Sequence, residues 1–270
     1  MKEISLEELK QLQLDILCSV DKFCRERGIQ YTLYFGTLLG AIRHKGYIPW
    51  DDDIDIAMTR ANYDVFINSF NGYDDNLRVF SPELDYNYYA PYANVCDIRT
   101  LLIEESMDHN RQEIGVKIDV FPLDGVQNEI EYIKRRKKCS WYNLILGNKR
   151  KKLAIIWKEN KVRFVKCLVK KILFSFLPYS SLQKQIHKTS IKESNGLTPY
   201  LSDIVFMGSR PRIYESIWFD NYIDTEFEKN TVRIIADYDL YLKKVYNDYM
   251  QLPPKEQRIP HHGFTAYWKN

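Results

Sequence analysis

Leu6, Leu9, Leu12, Ile16, Val20 and Phe23 recur at the three- and four-residue spacing of one helix face. The run starts behind Ser5, with Glu8 three residues on as a capping box, and stops at Gly28, so a first amphipathic helix is predicted. The period then changes. Ile29 to Phe35 (IQYTLYF) is rich in β-branched and aromatic residues, Gly36 breaks it, and Thr37 to Arg43 (TLLGAIR) has helical character. Asp53-Ile54-Asp55-Ile56-Ala57-Met58 alternates polar and apolar and predicts a strand, and Asn62 to Phe70 a helix. From Leu77 to Pro122 the pattern reads as short strands, the clearest being Val116 to Phe121 (VKIDVF), ended by Pro122. Val162, Val165, Val169, Ile172 and Phe176 then form one helical stripe, with Lys158, Lys161, Lys166 and Lys170 elsewhere around the wheel. Tyr238 to Met250 reads as a last helix, stopped by Pro253-Pro254. The expectation is an α+β fold: a mixed sheet flanked by helices, plus a basic helical segment. With no internal repeat and no low-complexity linker, one domain is expected over 1–270. Its core lies at about 25–125, the basic helical segment at 131–192 and a C-terminal helical part at 201–270.

Charge changes this picture more than composition does. The net charge is +3, yet residues 131–192 hold 18 of the 39 Lys and Arg against Glu131 and Glu159 alone. That tract is +16, and the remainder keeps 21 bases against 34 acids, a balance of −13. The tract either packs its apolar stripe on the core with its bases solvated, or docks the protein on an anionic membrane. Nucleic-acid binding is not expected, because no reading motif accompanies the charge, and the five-base run Lys134 to Lys138 reads as a solvated face. The five cysteines are scattered, without a CxxC pair or His at zinc-finger spacing, which fits free thiols. The N-terminus lacks an apolar signal core and no run approaches the eighteen or so apolar residues of a membrane span. A cytoplasmic protein, peripheral at the inner membrane face if the tract docks there, is expected.

The chemistry gathers on acids. On an extended strand Asp53 and Asp55 project to one side while Ile54, Ile56 and Met58 pack on the other. Neighbouring carboxylates repel, and a cation relieves them. Hard oxygen ligands suit Mg²⁺, with Mn²⁺ as the alternative, held by one or two carboxylates plus phosphate oxygens and water. The bland reading is a solvated acidic strand edge. Upstream, Gly36-Thr37 lies between a predicted strand and a predicted helix, where free N–H groups favour a phosphate. In VKIDVF, Lys117 and Asp119 share the polar face, and Asp119 either completes the acid group, as metal ligand or proton acceptor, or is a structural Asp. Asp51, Asp52 and Asp124 are weaker candidates. Arg43, His44 and Lys45 either reach donor phosphates or are ordinary solvated charges. His261 and His262 either line the cleft or serve a structural role, with no metal-ligand spacing around them.

The run Leu33 to Ile56, LYFGTLLGAIRHKGYIPWDDDIDI, resembles the signature of the LicD family, which includes fukutin-like proteins. The likeness continues through Lys117 to Asp124 (KIDVFPLD) and the tail DYMQLPPKEQRIPHH, while the basic middle carries little of it. It implies a nucleotidyltransferase fold similar to DNA polymerase beta-type enzymes. It also implies an enzyme moving phosphocholine, or a related phospho-head group, from a CDP-linked donor to a glycan or lipid-linked oligosaccharide of lipopolysaccharide or capsular polysaccharide. By the resemblance Asp53 and Asp55 become metal ligands, Asp119 the third acid, and Gly36 and Thr37 the phosphate-binding turn. Fifteen residues separate Thr37 from Asp53, long for the superfamily although normal within this family. The rival readings are a true nucleotidyltransferase that leaves NMP on its acceptor and a non-catalytic scaffold for glycan or membrane.

Overall fold

A computed structural model describes the chain except for residues 105–106, 108–112, 193–196, 207–211, 260–262 and 270. His261 and His262 lie outside the described residues. The chain opens with β1 (Lys2–Glu3) and α1 (Leu6–Arg27). In the capping box of α1 the Glu8 amide donates to Ser5 Oγ at 3.2 Å and the Ser5 amide to Glu8 Oε2 at 3.0 Å. Gly28, at φ 67°, closes it in a left-handed conformation that a side chain would resist. Next come β2 (Thr32–Leu33), α2 (Phe35–His44), β3 (Asp55–Thr59), α3 (Arg60–Ser69), β4 (Leu77–Phe80), β5 (Ala93–Asp97), β6 (Thr100–Glu104) and β7 (Lys117–Val126).

The basic segment folds into α4 (Glu129–Arg150), α5 (Leu153–Glu159), α6 (Lys161–Leu173) and α7 (Tyr179–Ser190), as its pattern predicts. The 201–270 stretch departs from the helical expectation. It carries β8 (Tyr200–Ser202), β9 (Tyr214–Glu215), β10 (Tyr222–Phe227), β11 (Asn230–Ile235), α8 (Tyr238–Tyr246) and β12 (Phe264–Trp268). The last helix ends at Tyr246, well before the prolines, because Asn247 turns to φ 59°. The chain then returns to a strand that pairs with β1 and β6 and so ties both ends of the protein together.

The main sheet runs β2-β3-β7-β5-β4, with β3 and β7 parallel and the other neighbours antiparallel. The architecture is therefore mixed α/β. Pro122 does not end its strand; β7 continues to Val126. On its far side β7 pairs with β5 through Val120 and with β8 from Asp124 onward. Pro122 falls in the gap between them, where a ladder donor is not needed. One apolar core joins α1, α2, α3 and the sheet, and a second, around Tyr132, Cys139, Leu146 and Ile186, lies under α4 and α7. Arg135 departs from the solvated face expected of its run. It is buried and donates to the Gly125 carbonyl at 2.6 Å, the Thr189 carbonyl at 3.1 Å and Glu131 Oε1 at 2.7 Å. All five cysteines are free, and burial pushes Cys24, Cys96 and Cys139 up to about 12.

Beneath the sheet, Arg60 meets Asp124 through two hydrogen bonds of 2.8 and 3.0 Å and reaches Glu83 at 3.2 Å. Asp124 is fully buried. This placement commits it to the core as an ion-pair partner, so it does not serve as a reserve active-site acid. Asp124→Asn leaves the buried guanidinium short of charge, and a loss of about 3–5 kcal/mol is expected by urea unfolding. A midpoint equal to wild type would show that the pair contributes nothing.

Candidate functional site

The parallel register of β3 and β7 sets Asp55 directly beside Asp119. Three backbone-directed bonds hold this pair: the Asp55 amide donates to Thr37 Oγ1 at 2.9 Å, the Tyr34 amide to the Asp55 carbonyl at 2.8 Å, and the Asp119 amide to the Ile54 carbonyl at 2.9 Å. Strand β3 begins only at Asp55, so Asp53 stands on the lead-in to the strand and not within it. Buried Gln13 supports that lead-in from α1 by donating to the Asp52 carbonyl at 2.9 Å.

The expected turn at Gly36 is made one residue earlier. Phe35 sits at φ 42°, in a region costly for a bulky side chain, and starts α2 directly from β2. Gly36 matters instead for the space it leaves. A Cβ there would stand 2.6 Å from Asp51 Oδ2, so only glycine admits that carboxylate against the helix start. No side chain caps α2, and Gly36 in its first turn lies against Asp51. Thr37 is buried and occupied by the Asp55 amide.

Asp51, Asp53 and Asp55 line a cavity of about 520 Å³ whose other walls include Gly36, Arg212 and Lys244. A second cavity, about 470 Å³, shares Asp51 and Asp53 and adds Asp119, Lys117, Tyr89 and Tyr92. The acids therefore form the partition between two adjoining spaces. More than a third of the Asp53 surface opens to the cleft. The cleft walls nevertheless strip much of its water, and with the Asp51 and Asp119 charges they push Asp53 up to about 8. Burial, then the charges of Asp53 and Asp119, hold Asp55 far above the usual carboxylate range, with Lys117 offsetting part of the effect. Burial also raises Asp51, which shares a hydrogen bond with Asp53.

Asp119 is ion-paired with Lys117 and accepts from Asn94 Nδ2 at 2.5 Å. Asn94 in turn accepts from the Tyr88 hydroxyl and, at 3.2 Å, from the Tyr89 hydroxyl. Burial works against the Lys117 charge, but Asp119, followed by Tyr89 and Tyr92, outweighs it and holds the ammonium above its ordinary range. Across the first cavity Arg212 lies over the Phe35 ring at 4.1 Å and the Phe206 ring at 4.4 Å, and pairs with Asp203 at 3.1 Å.

The sequence-predicted residues thus divide. Gly36, Asp53, Asp55 and Asp119 come together. Arg43 lines a third cavity, of about 350 Å³, with Gly36 and Asp51, yet donates to the Tyr249 and Gln251 carbonyls at 2.8 and 3.3 Å. His44 accepts from Arg43 Nε at 3.0 Å beside the Trp50 ring. Lys45 is exposed at the end of α2, at φ 59°, its carbonyl taken by the Glu228 amide at 2.9 Å. Sequence reasoning passed over Asn94 and Arg212, which sit in stretches without a clear period, and Lys244, which lies in the predicted last helix but belongs to no motif. The polar face shared by Lys117 and Asp119 was the available signal for Lys117.

Among the described residues no group of three or more His, Cys, Asp or Glu stands ready-made around a metal. The acids instead form a crowded pair, Asp53 and Asp55, with Asp119 alongside. That donor set fits a hard cation completed by phosphate and water oxygens, not a closed protein cage.

A profile of the family described as LicD/FKTN/FKRP, nucleotidyltransferase domain, matches residues 28–152, the segment that carries every one of these acids. A lipopolysaccharide cholinephosphotransferase LicD of Haemophilus influenzae is 33% identical over 274 residues, covering 99% of each chain. An uncharacterized protein of Rickettsia typhi is 39% identical over 59 residues, 22% of this chain and 19% of its own. Another, of Rickettsia prowazekii, is 37% identical over 59 residues, 22% of each.

Proposed function

Since the chain belongs to the LicD/FKTN/FKRP family of transferases, we propose that it moves phosphocholine or a related phospho-head group from a CDP-linked donor to a hydroxyl of a lipopolysaccharide glycan. The observation that carries this reading is the acid partition between two cavities. A transfer in line needs a donor space, an acceptor space and charge control between them. On this reading the core is of the nucleotidyltransferase type, with β3 and β7 presenting the acids and α2 the phosphate-binding turn.

The donor phosphates lie in the first cavity, where Arg212, Lys244 and the uncapped start of α2 supply positive charge and N–H donors. The acceptor hydroxyl enters the second, beside Asp119. Its oxygen forms the new bond to phosphorus, the bond from phosphorus to the CMP oxygen breaks, and the hydroxyl proton passes to Asp119 and on to water. Lys117 and Asn94 hold Asp119 in place for that proton. Asp53 and Asp55 are the residues that would hold Mg²⁺, which when bound neutralises phosphate charge and orients the phosphates. No covalent enzyme intermediate is needed.

Incubation with a panel of CDP-linked donors, Mg²⁺ and lipopolysaccharide acceptor tests the reading. The expected result is CMP release matched by phosphorus on the glycan. Pyrophosphate release with nucleotide left on the acceptor would establish the rival nucleotidyltransferase reaction, and no turnover with any donor would favour a scaffold.

A further inference from the structure

The helix α6 is amphipathic in the wrong sense for a helix that serves only as part of a folded core. At about 100° per residue, Phe164, Cys167, Leu168 and Lys171 share one face. That face is the inner one. Cys167 is buried, Asn148 Nδ2 donates to its carbonyl at 3.3 Å, and Lys171 Nζ donates to the Lys149 carbonyl at 2.8 Å, both bonds running to α4. Val162, Val165, Val169, Ile172 and Leu173 fall on the opposite side of the wheel, Phe176 follows in the turn after the helix, and all six are between 48% and 74% exposed. The stripe faces away from the protein instead of packing on the core. Scattered exposed apolar residues need no explanation, but five on one outward arc with a sixth just beyond it do.

Charge says what covers the stripe. Lys161, Lys166 and Lys170 are exposed on the rims of the stripe. No acidic residue occurs between Glu159 and Glu193. A second copy of the chain would bring like charges together, whereas an anionic bilayer offers acyl chains to the stripe and phosphates to the rims. Among the described residues no helix is long and apolar enough to cross a membrane. At 13 residues, α6 spans about 20 Å, a length suited to lying in the interface.

We propose that α6 and the turn through Phe176 seat this protein on an anionic lipid bilayer, with the apolar stripe in the headgroup boundary and Lys161, Lys166 and Lys170 against lipid phosphates. The surface is separate from the acid-lined cavities. It requires neither donor nor acceptor, so its test is independent of the reading of the reaction.

Co-sedimentation of the full chain with vesicles of phosphatidylcholine alone, or of phosphatidylcholine with phosphatidylglycerol, decides the matter. Binding to the anionic vesicles is expected at low salt, fading as salt rises. Two double variants separate the two contributions: Val165→Asp with Val169→Asp for the stripe, and Lys166→Glu with Lys170→Glu for the rim. Each should weaken binding roughly tenfold or more. Since all four side chains are exposed, circular dichroism and melting should stay as in wild type; if one pair unfolds the protein, the other still tests the proposal. Absent binding, equal binding to neutral and anionic vesicles, or wild-type binding by a folded variant would overturn it. So would gel filtration showing a dimer that the stripe variant converts to monomer, which would make α6 a self-interface.

Discussion

Asp53→Asn and Asp55→Asn are each expected to abolish transfer, by roughly a thousandfold or more, while leaving the fold intact. The carboxamide keeps the size of the side chain and loses the charge that a cation requires. Stability should move the other way. Asp53 is raised from 3.8 to about 8 by loss of water and by the charges of Asp51 and Asp119, and Asp55 is raised in the same direction by burial and by the charges of Asp53 and Asp119. A raised carboxyl favours the fold while it is protonated. Its contribution is complete at pH values below the unfolded value and is lost as pH climbs through the folded one. Metal-free wild type, in EDTA, should therefore melt at a lower temperature at pH 8 than at pH 5. Asp53→Asn should flatten that slope and melt above wild type at pH 8. Added Mg²⁺ should raise the melting temperature of wild type but not of either variant. Wild-type turnover by either variant, or activity undiminished by EDTA, would remove these acids from the metal site.

The sequence shows these acids more clearly than it shows what surrounds them, and the reason is the range of the interactions. Ser5 and Glu8, Gly28, and the alternation of Asp53 to Met58 are local patterns; the structure keeps the first helix, begins the strand only at Asp55, and still brings Asp53 and Asp55 to one cavity. Asp119 was legible for the same reason, since Lys117 and Asp119 are polar residues alternating with Val116, Ile118 and Val120. Its pairing with Asp55 depends on a parallel register across more than sixty residues, which no local period encodes. Asn94 reaches Asp119 only because β5 lies against β7, and Arg212 enters the first cavity from a stretch with no periodicity at all. The misread turns have local causes of a subtler kind. Phe35 adopts φ 42° where Gly36 was the expected breaker, and Pro122 continues a strand because its partner on one side changes there. The C-terminal strand β12 was hidden because its partners, β1 and β6, are distant in sequence, and β1 is only two residues long.

Asp119→Asn should lower the rate by about two to four orders of magnitude, the range for a lost proton acceptor. Alone it leaves the meaning open, because the same change strands Lys117. The side chains of Lys117 and Asp119 are 21% and 14% exposed, so the pair is mostly withdrawn from water and the unmatched ammonium is costly. A fall in stability of about 2–4 kcal/mol is therefore expected for Asp119→Asn. Adding Lys117→Met removes the stranded charge while keeping much of the side-chain length. The double variant should regain most of that stability, as measured by urea unfolding, and regain none of the rate. This pattern separates a group acting on the acceptor proton from one that merely balances Lys117. Recovery of activity together with stability would make Asp119 a structural partner of Lys117 and move the proton acceptor elsewhere on the partition, with Asp51, already against Gly36, the next acid to test.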